Sequence, residues 1–307
     1  MPESFTAPQA PAAGSMMRKE LHSQPDVWER AIAQAHAEDL LPAPGKRVAV
    51  IGCGTSWFMA QSYAAVREAS GGGETDAFAA SEAAAVSARG YDAVVAISRS
   101  GTTTEVLELL DLVGEAMPST AVLADAGSPA AGLARGVVAL PYADESSVVQ
   151  TRFATSALAY LLTATGMDLG SAVEDARNVL AEPIPAELLG AEQFSFLGRG
   201  WTVGLAHEAA LKMREAVQDW TESYPAMEYR HGPIAIAGPR RVTWMVGKEP
   251  RGLRADVVAA GAHYEHSLRH PLAELVRVHR TTLDRALARG LDPDHPRHLT
   301  RSVVLEG

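Results

Sequence analysis

Two groups of residues in this chain have types and spacings that could do chemistry. The first is Ser98-Arg99-Ser100-Gly101-Thr102-Thr103-Thr104-Glu105, which follows the apolar run YDAVVAIS and opens the amphipathic stretch TEVLELLDLV, so it stands where a strand passes into a helix. Five hydroxyls and one guanidinium meet the unpaired amides of a helix start there, a setting that favours an anion and above all a phosphate monoester. Capping of the helix by Ser or Thr accounts for one or two such residues but does not call for so dense a run. Gly52-Cys53-Gly54-Thr55-Ser56 is a second hydroxyl-bearing turn of the same kind. It is not a dinucleotide fingerprint, because the indole of Trp57 occupies the place of the third glycine, and no Gly-Lys-Ser/Thr follows to make a Walker-type loop.

The second group is Glu208, Lys212 and Glu215, spaced i, i+4, i+7 and therefore on one face of a helix. Two carboxylates flanking an ammonium suit proton transfer at a sugar carbon, and they also suit a solvated ion-pair ladder; the spacing leaves both readings open. His231-Gly232-Pro233 places an imidazole before a chain turn, which by itself says little. Other chemistries fail on position. His207-Glu208-Ala209-Ala210-Leu211 has leucine where a zinc helix needs its second histidine, His263, His266 and His270 lack an acidic frame for a metal, and there is no G-x-S-x-G elbow.

The elements that must position these residues follow a repeated grammar. An amphipathic segment, Leu21 to Leu40, ends at Pro42, Pro44 and Gly45; RVAVIG then reads as a strand and TSWFMAQSYAAVREA as a helix. STAVLAD is a further strand, Ser147 to Thr165 a helix, and the Pro183, Pro185 pair a boundary. Beyond it QFSFLGRGWTVGLAHEAALKMREAV repeats strand, glycine turn and helix, with Leu197-Gly198-Arg199-Gly200 matching Ile51-Gly52-Cys53-Gly54 as a short internal repeat. A strand near His263 to Ser267 and a helix from Leu272 to Arg289 precede the ending DPDHPRHLTRSVVLEG. Alternation of short apolar strands with amphipathic helices predicts an α/β fold with parallel sheets covered on both faces.

Composition limits the surroundings. A chain of 307 residues with 47% hydrophobic content can bury a large core, and a single cysteine, Cys53, rules out an internal disulfide and a cysteine zinc site. The balance of 27 Lys+Arg against 37 Asp+Glu, a net charge of -10, gives no global footprint for nucleic acid or an anionic membrane, so any anion must be held by local groups. The Pro- and Ala-rich start, residues 1–16, reads as a disordered tail without the marks of a secretory signal, and no apolar run is long enough to span a bilayer. These features point to a cytoplasmic location.

In this order RKELHSQPDVW, GCGTS, SRSGTTTE, SVVQTRFAT, GRGWTVGLAHEAALKMRE, YRHGPIAI and DHPRHLTRSVVLE resemble the SIS (sugar isomerase) domain family, in particular the isomerase half of glucosamine-6-phosphate synthase and the stand-alone amino-sugar-phosphate isomerases and deaminases. The resemblance implies two SIS-type subdomains, residues 17–182 and a smaller one over 183–307 that carries an active-site tail, each a parallel sheet flanked by helices in three αβα layers. It implies that Gly54, Thr55, Ser56, Ser98, Arg99, Ser100 and Thr103 hold a sugar phosphate, that Val148, Gln150 and Glu208 line the sugar, that Glu215 moves a proton between C1 and C2 beside Lys212, and that His231 opens the ring. In relatives that histidine comes from a neighbouring subunit, so a homodimer is implied, with neither metal nor other cofactor. No glutaminase half is present, Arg99 stands in place of the family's glutamine, and Arg301 replaces its carboxyl-terminal lysine; a guanidinium stabilises an enediolate but forms no Schiff base. The expected activity is isomerisation or deamination of an amino-sugar 6-phosphate. Dehydration of N-acetylglucosamine 6-phosphate by the same glutamate, and non-catalytic sensing of a sugar phosphate, are the alternatives.

Overall fold

The computed structural model describes residues 12–305, which form two parallel sheets. The first comprises β1 (Val48–Gly52), β2 (Thr75–Ala79), β3 (Ala93–Ser98), β4 (Ser119–Leu123) and β5 (Gly136–Ala139) in the order β2-β1-β3-β4-β5. The second comprises β6 (Gln193–Gly198), β7 (Thr221–Pro225), β8 (Arg241–Val246) and β9 (His263–His266) in the order β7-β6-β8-β9. The helices are α1 (Ser15–Ala37), α2 (Thr55–Ala69), α3 (Thr104–Val113), α4 (Pro129–Leu133), α5 (Arg152–Ala164), α6 (Gly170–Ala181), α7 (Ala186–Leu189), α8 (Thr202–Val217), α9 (Leu253–Ala259) and α10 (Pro271–Ala288).

Strand side chains divide by the pleat. Val48, Val50, Val95 and Ile97 enter a central core, while Ala49, Ile51, Val94 and Ala96 pack on the other face with Val106, Leu109 and Leu110 of α3. Strands buried on both faces need continuous apolar sequence, which is why VAVIG and AVVAIS read as strands. The central core also takes Phe194, Phe196 and Trp244 from the second sheet and side chains from α1, α2, α5, α6, α8 and α10, so one apolar interior joins both sheets. The second sheet is the smaller, four strands against five, as expected.

Close approach of α2 and α8 depends on Gly204, where an added Cβ would lie 2.3 Å from the Phe58 carbonyl oxygen and 2.4 Å from Ser62 Oγ. Each strand order reverses between two neighbours, β1 and β3 in the first sheet, and a crevice opens there beyond the carboxyl ends of the strands. The turns after β1 and β3 are the two hydroxyl-bearing segments.

Element limits differ from the sequence expectation where caps decide them. The first helix begins at Ser15, inside the segment read as tail, because Asp292 and Asp294 near the far end of the chain accept from the amides of Gly14, Met16 and Met17. Residues 1–11 of that expected tail lie outside the described residues. The helix expected from Ser147 begins only at Arg152, since Glu145 accepts from the amides of Thr151, Arg152 and Phe153 and leaves the preceding residues as a loop. The short strands β2, β5 and β7 were not legible in the sequence. They stand at sheet edges, and most of their residues are only partly buried.

Candidate active site

A cavity of about 170 Å³ lies at the carboxyl edge of the first sheet, against the second half of α8. It is lined by Cys53, Gly54, Thr55, Arg99, Thr103, Val148, Gln150, Lys212, Glu215 and residues 299–303. Nine of the residues singled out from the sequence meet here: Gly54, Thr55, Arg99, Thr103, Val148, Gln150, Lys212, Glu215 and Arg301.

The α8 face holds an ammonium between two carboxylates. Lys212 Nζ is fully buried, donates to Glu215 and lies 3.5 Å from Glu208 Oε1. Glu215 keeps about a fifth of its side chain open, at 19%, whereas Glu208 is completely enclosed. Burial pushes the Glu208 carboxyl up to about 8, although the Lys212 ammonium opposes the rise. Burial would press Lys212 down, but the carboxylates of Glu208 and Glu215 outweigh it and hold the ammonium above its usual range. One cation cannot neutralise two anions in a dry site, so at neutral pH the proton stays on the deeper carboxyl, that of Glu208. Behind Glu208, the wholly buried His279 lies 3.9 Å away with neither ring nitrogen hydrogen-bonded, and burial lowers its pKa to about 3. The face is therefore no solvated ladder.

The turn after β3 is shaped by its own hydroxyls. Ser98 Oγ accepts from the Gly101 amide at 3.1 Å and Ser100 Oγ from the Thr102 amide at 3.2 Å. Gly101 has φ +62°, and a Cβ there would strike Ser128 Oγ at 2.0 Å. Ser56 and Ser98 are buried beneath the turns and, like Ser100, do not line the cavity; Glu208 lies beneath Lys212.

Arg99 plays a different part from the free phosphate cation its position suggested. Its terminal nitrogens donate to the carbonyls of Ser147 at 2.9 Å, Val148 at 3.3 Å and Arg301 at 2.8 Å, and Glu145 lies 4.0 Å away. The guanidinium thereby ties the Val148–Gln150 loop and the carboxyl-terminal segment to the β3 turn. Its Nε, buried, has no hydrogen-bond partner. Arg301 reaches the cavity, but its guanidinium pairs with Asp144 rather than with Glu215.

His231 ends a short 3-10 helix, Glu228–His231, is exposed, and does not line the cavity of its own chain. The three histidines weighed for a metal are separately occupied: His263 bonds Glu265, His266 bonds the Gly247 carbonyl, and His270 caps α10.

Sequence reasoning missed Glu20, Glu145 and Ser302. Glu20 on α1, its carboxyl pushed up to about 7 by burial, accepts from the amides of Ser146 and Ser147 and so holds the same loop as Arg99. Its signal was the motif RKELH, which carried no chemistry until α1 was folded against the loop. Ser302 stood beside Arg301 in a motif from which only the arginine was taken. Cys53 lines the cavity, but burial raises its thiol to about 11 and keeps it protonated.

Residues 43–165 match the SIS domain family. The chain is 26% identical over 344 aligned residues to a glutamine–fructose-6-phosphate aminotransferase (isomerizing) of Methanothermobacter thermautotrophicus, covering 94% of the chain but 57% of that protein. It thus spans little more than half the length of the curated relatives it matches. Its fold resembles the crystal structure of glucosamine-6-phosphate deaminase from Thermotoga maritima, with TM-score 0.77 and 23% identity over 95% of this chain and 100% of the other. It likewise resembles tagatose-6-phosphate ketose/aldose isomerase from Escherichia coli, with TM-score 0.77 and 18% identity over 98% and 99% of the two chains. The strand order and the two loops at the β1/β3 crevice agree with the SIS match, which covers the first sheet and the helices α2 to α5.

Proposed function

We propose that this protein acts on an amino-sugar 6-phosphate by opening the ring and moving a proton between C1 and C2. The observation that carries this reading is that the Lys212–Glu215 pair and the two hydroxyl-bearing loops line one cavity. Phosphate binds at the loops, among Thr55, Thr103 and the amides of the α3 start. His231 of a second copy carries the ring-opening proton from the anomeric hydroxyl to the ring oxygen, since the histidine stands clear of the cavity in its own chain. Glu215 then takes the proton from C2 of the open aldose, and the electron pair moves onto the carbonyl oxygen, where the Lys212 ammonium steadies the negative charge.

Glu215 returns its proton to C1 as the C2 hydroxyl or amine gives up a proton and the C1 oxygen takes one. With a hydroxyl at C2 the product is the ketose. With an amine at C2 it is the ketimine, which water hydrolyses to ketose and ammonia. No free amine is placed to form a Schiff base, because Lys212 is enclosed by two carboxylates and Arg301 is a guanidinium.

The test is NMR of the purified protein with glucosamine 6-phosphate and, separately, N-acetylglucosamine 6-phosphate. Ketose with ammonia supports the reading. A 2,3-unsaturated sugar, formed when the C2 carbanion expels the C3 hydroxyl as water, replaces it with a dehydratase that uses the same glutamate. Binding without turnover replaces it with a sensor.

A further inference from the structure

The carboxyl-terminal segment reaches the α3 start with its own donors and acceptors. The Val303 carbonyl accepts from the Thr104 amide at 3.2 Å, and the Leu305 amide donates to Thr104 Oγ1 at 2.9 Å. These two bonds set Ser302 over the β3 turn. Its hydroxyl lies 3.1 Å from Ser100 Oγ and 2.9 Å from Thr102 Oγ1, both of which donate to it. A hydroxyl has two acceptor lone pairs and one proton. Thr102 Oγ1 has one proton to give and also lies 3.0 Å from Ser100 Oγ; when that proton goes to the nearer Ser302, both lone pairs of Ser302 are engaged and only its own proton is left to make a bond. Its one neighbour within reach is Thr103 Oγ1, at a long 3.4 Å, and both residues line the cavity. A second unspent donor belongs to the same cavity wall, the buried Nε of Arg99, which has no partner.

We propose that Ser302 is a phosphate ligand, brought to the anion cradle by residues 299–305, so that this segment completes the site. The inference rests on the phosphate-ester reading above. A phosphate oxygen placed between Ser302 and Thr103 accepts from both hydroxyls, which relieves the long contact between them and uses the proton that the turn leaves over. Ser100 and Thr102, the first of them singled out as a direct ligand from the sequence, then act by orienting Ser302. Bonds from a hydroxyl to an ionised oxygen are stronger than those between neutral groups, so removing Ser302 should be felt in affinity.

Isothermal titration of the full chain with inorganic phosphate tests this. Ser302→Ala should weaken phosphate binding about tenfold, and Ser302→Thr should restore it to within about twofold because the hydroxyl remains. In steady-state assays Ser302→Ala should raise KM for the phosphorylated sugar and leave kcat nearly unchanged, a split that a general loosening of the fold would not give. Phosphate binding by Ser302→Ala as tight as, or tighter than, wild type overturns the inference and leaves the functional reading standing. A wild-type chain that binds neither phosphate nor phosphosugar overturns both.

Discussion

Lys212 carries a single positive charge between Glu208, which is sealed, and Glu215, which opens on the cavity. This inequality divides the work. Glu215 is accessible from the cavity, whereas the enclosed Glu208 keeps its proton. Glu215→Gln should lower kcat by about 100-fold or more with KM little changed, because it removes the acceptor and not the binding groups; turnover near the wild-type rate would refute the assignment. Glu208 also links the site to stability. Its folded pKa, about 8, exceeds the 4.5 of an ordinary glutamate, so across that window the folded chain holds a proton that the unfolded chain has released, and stability falls as pH rises. His279 acts in the opposite sense, between about 3 and 6.5, where the unfolded chain binds the proton and stability rises with pH. Glu20 resembles Glu208, but its window closes near pH 7. Thermal melts between pH 7 and 8, above the windows of Glu20 and His279, therefore test Glu208: the wild-type Tm should fall over this range, and the fall should be shallower in Glu208→Gln. Equal slopes would mean that Glu208 does not hold the proton.

Among the elements, the packing of α8 on α2 decides where the pair meets the hydroxyl-bearing loops. Gly204→Ala sets a Cβ against the Phe58 carbonyl and Ser62, so the helices must part. We expect a net destabilisation of about 1–3 kcal/mol despite alanine's better helix propensity, read as a lower denaturation midpoint. Turnover should drop as well, since Lys212 and Glu215 move with the helix. The β3 turn is joined to two distant segments through Arg99. Arg99→Met leaves the carbonyls of Ser147, Val148 and Arg301 without their donor and Glu145 without its neighbouring charge. Hydrogen exchange should quicken in residues 146–150 and 299–305 together, and not in the second sheet. Exchange confined to one of these segments would show that Arg99 does not couple them.

On the scale of the whole molecule, the cavity is lined by the Lys212–Glu215 pair and the two hydroxyl-bearing turns, and His231 of the same chain does not line it. If a second copy supplies His231, two inactive proteins should complement each other. Mixing Glu215→Gln with His231→Ala under exchanging conditions should recover about a quarter of the wild-type rate, since half the dimers are mixed and each mixed dimer has one intact site. No recovery in a mixture shown to contain mixed dimers would place the histidine's action elsewhere. Among the described residues no helix is long and apolar enough to cross a membrane.

The sequence alone determined the parallel α/β class and the hydroxyl-rich character of the two loops, because both are local. Buried strands need unbroken apolar runs such as VAVIG and AVVAIS, and a strand-to-helix turn that binds an anion carries its hydroxyls in consecutive positions. The i, i+4, i+7 spacing likewise put Glu208, Lys212 and Glu215 on one face. Only the tertiary structure decided that the face is enclosed, since a solvated ladder and a buried ion-pair group have the same spacing and differ in what packs on them. It also decided the roles of Arg99, Glu20 and Ser302. Their partners lie far along the chain, 202 residues away for both Arg99 with Arg301 and Ser100 with Ser302, and no local pattern records a bond that exists only after the two ends have met.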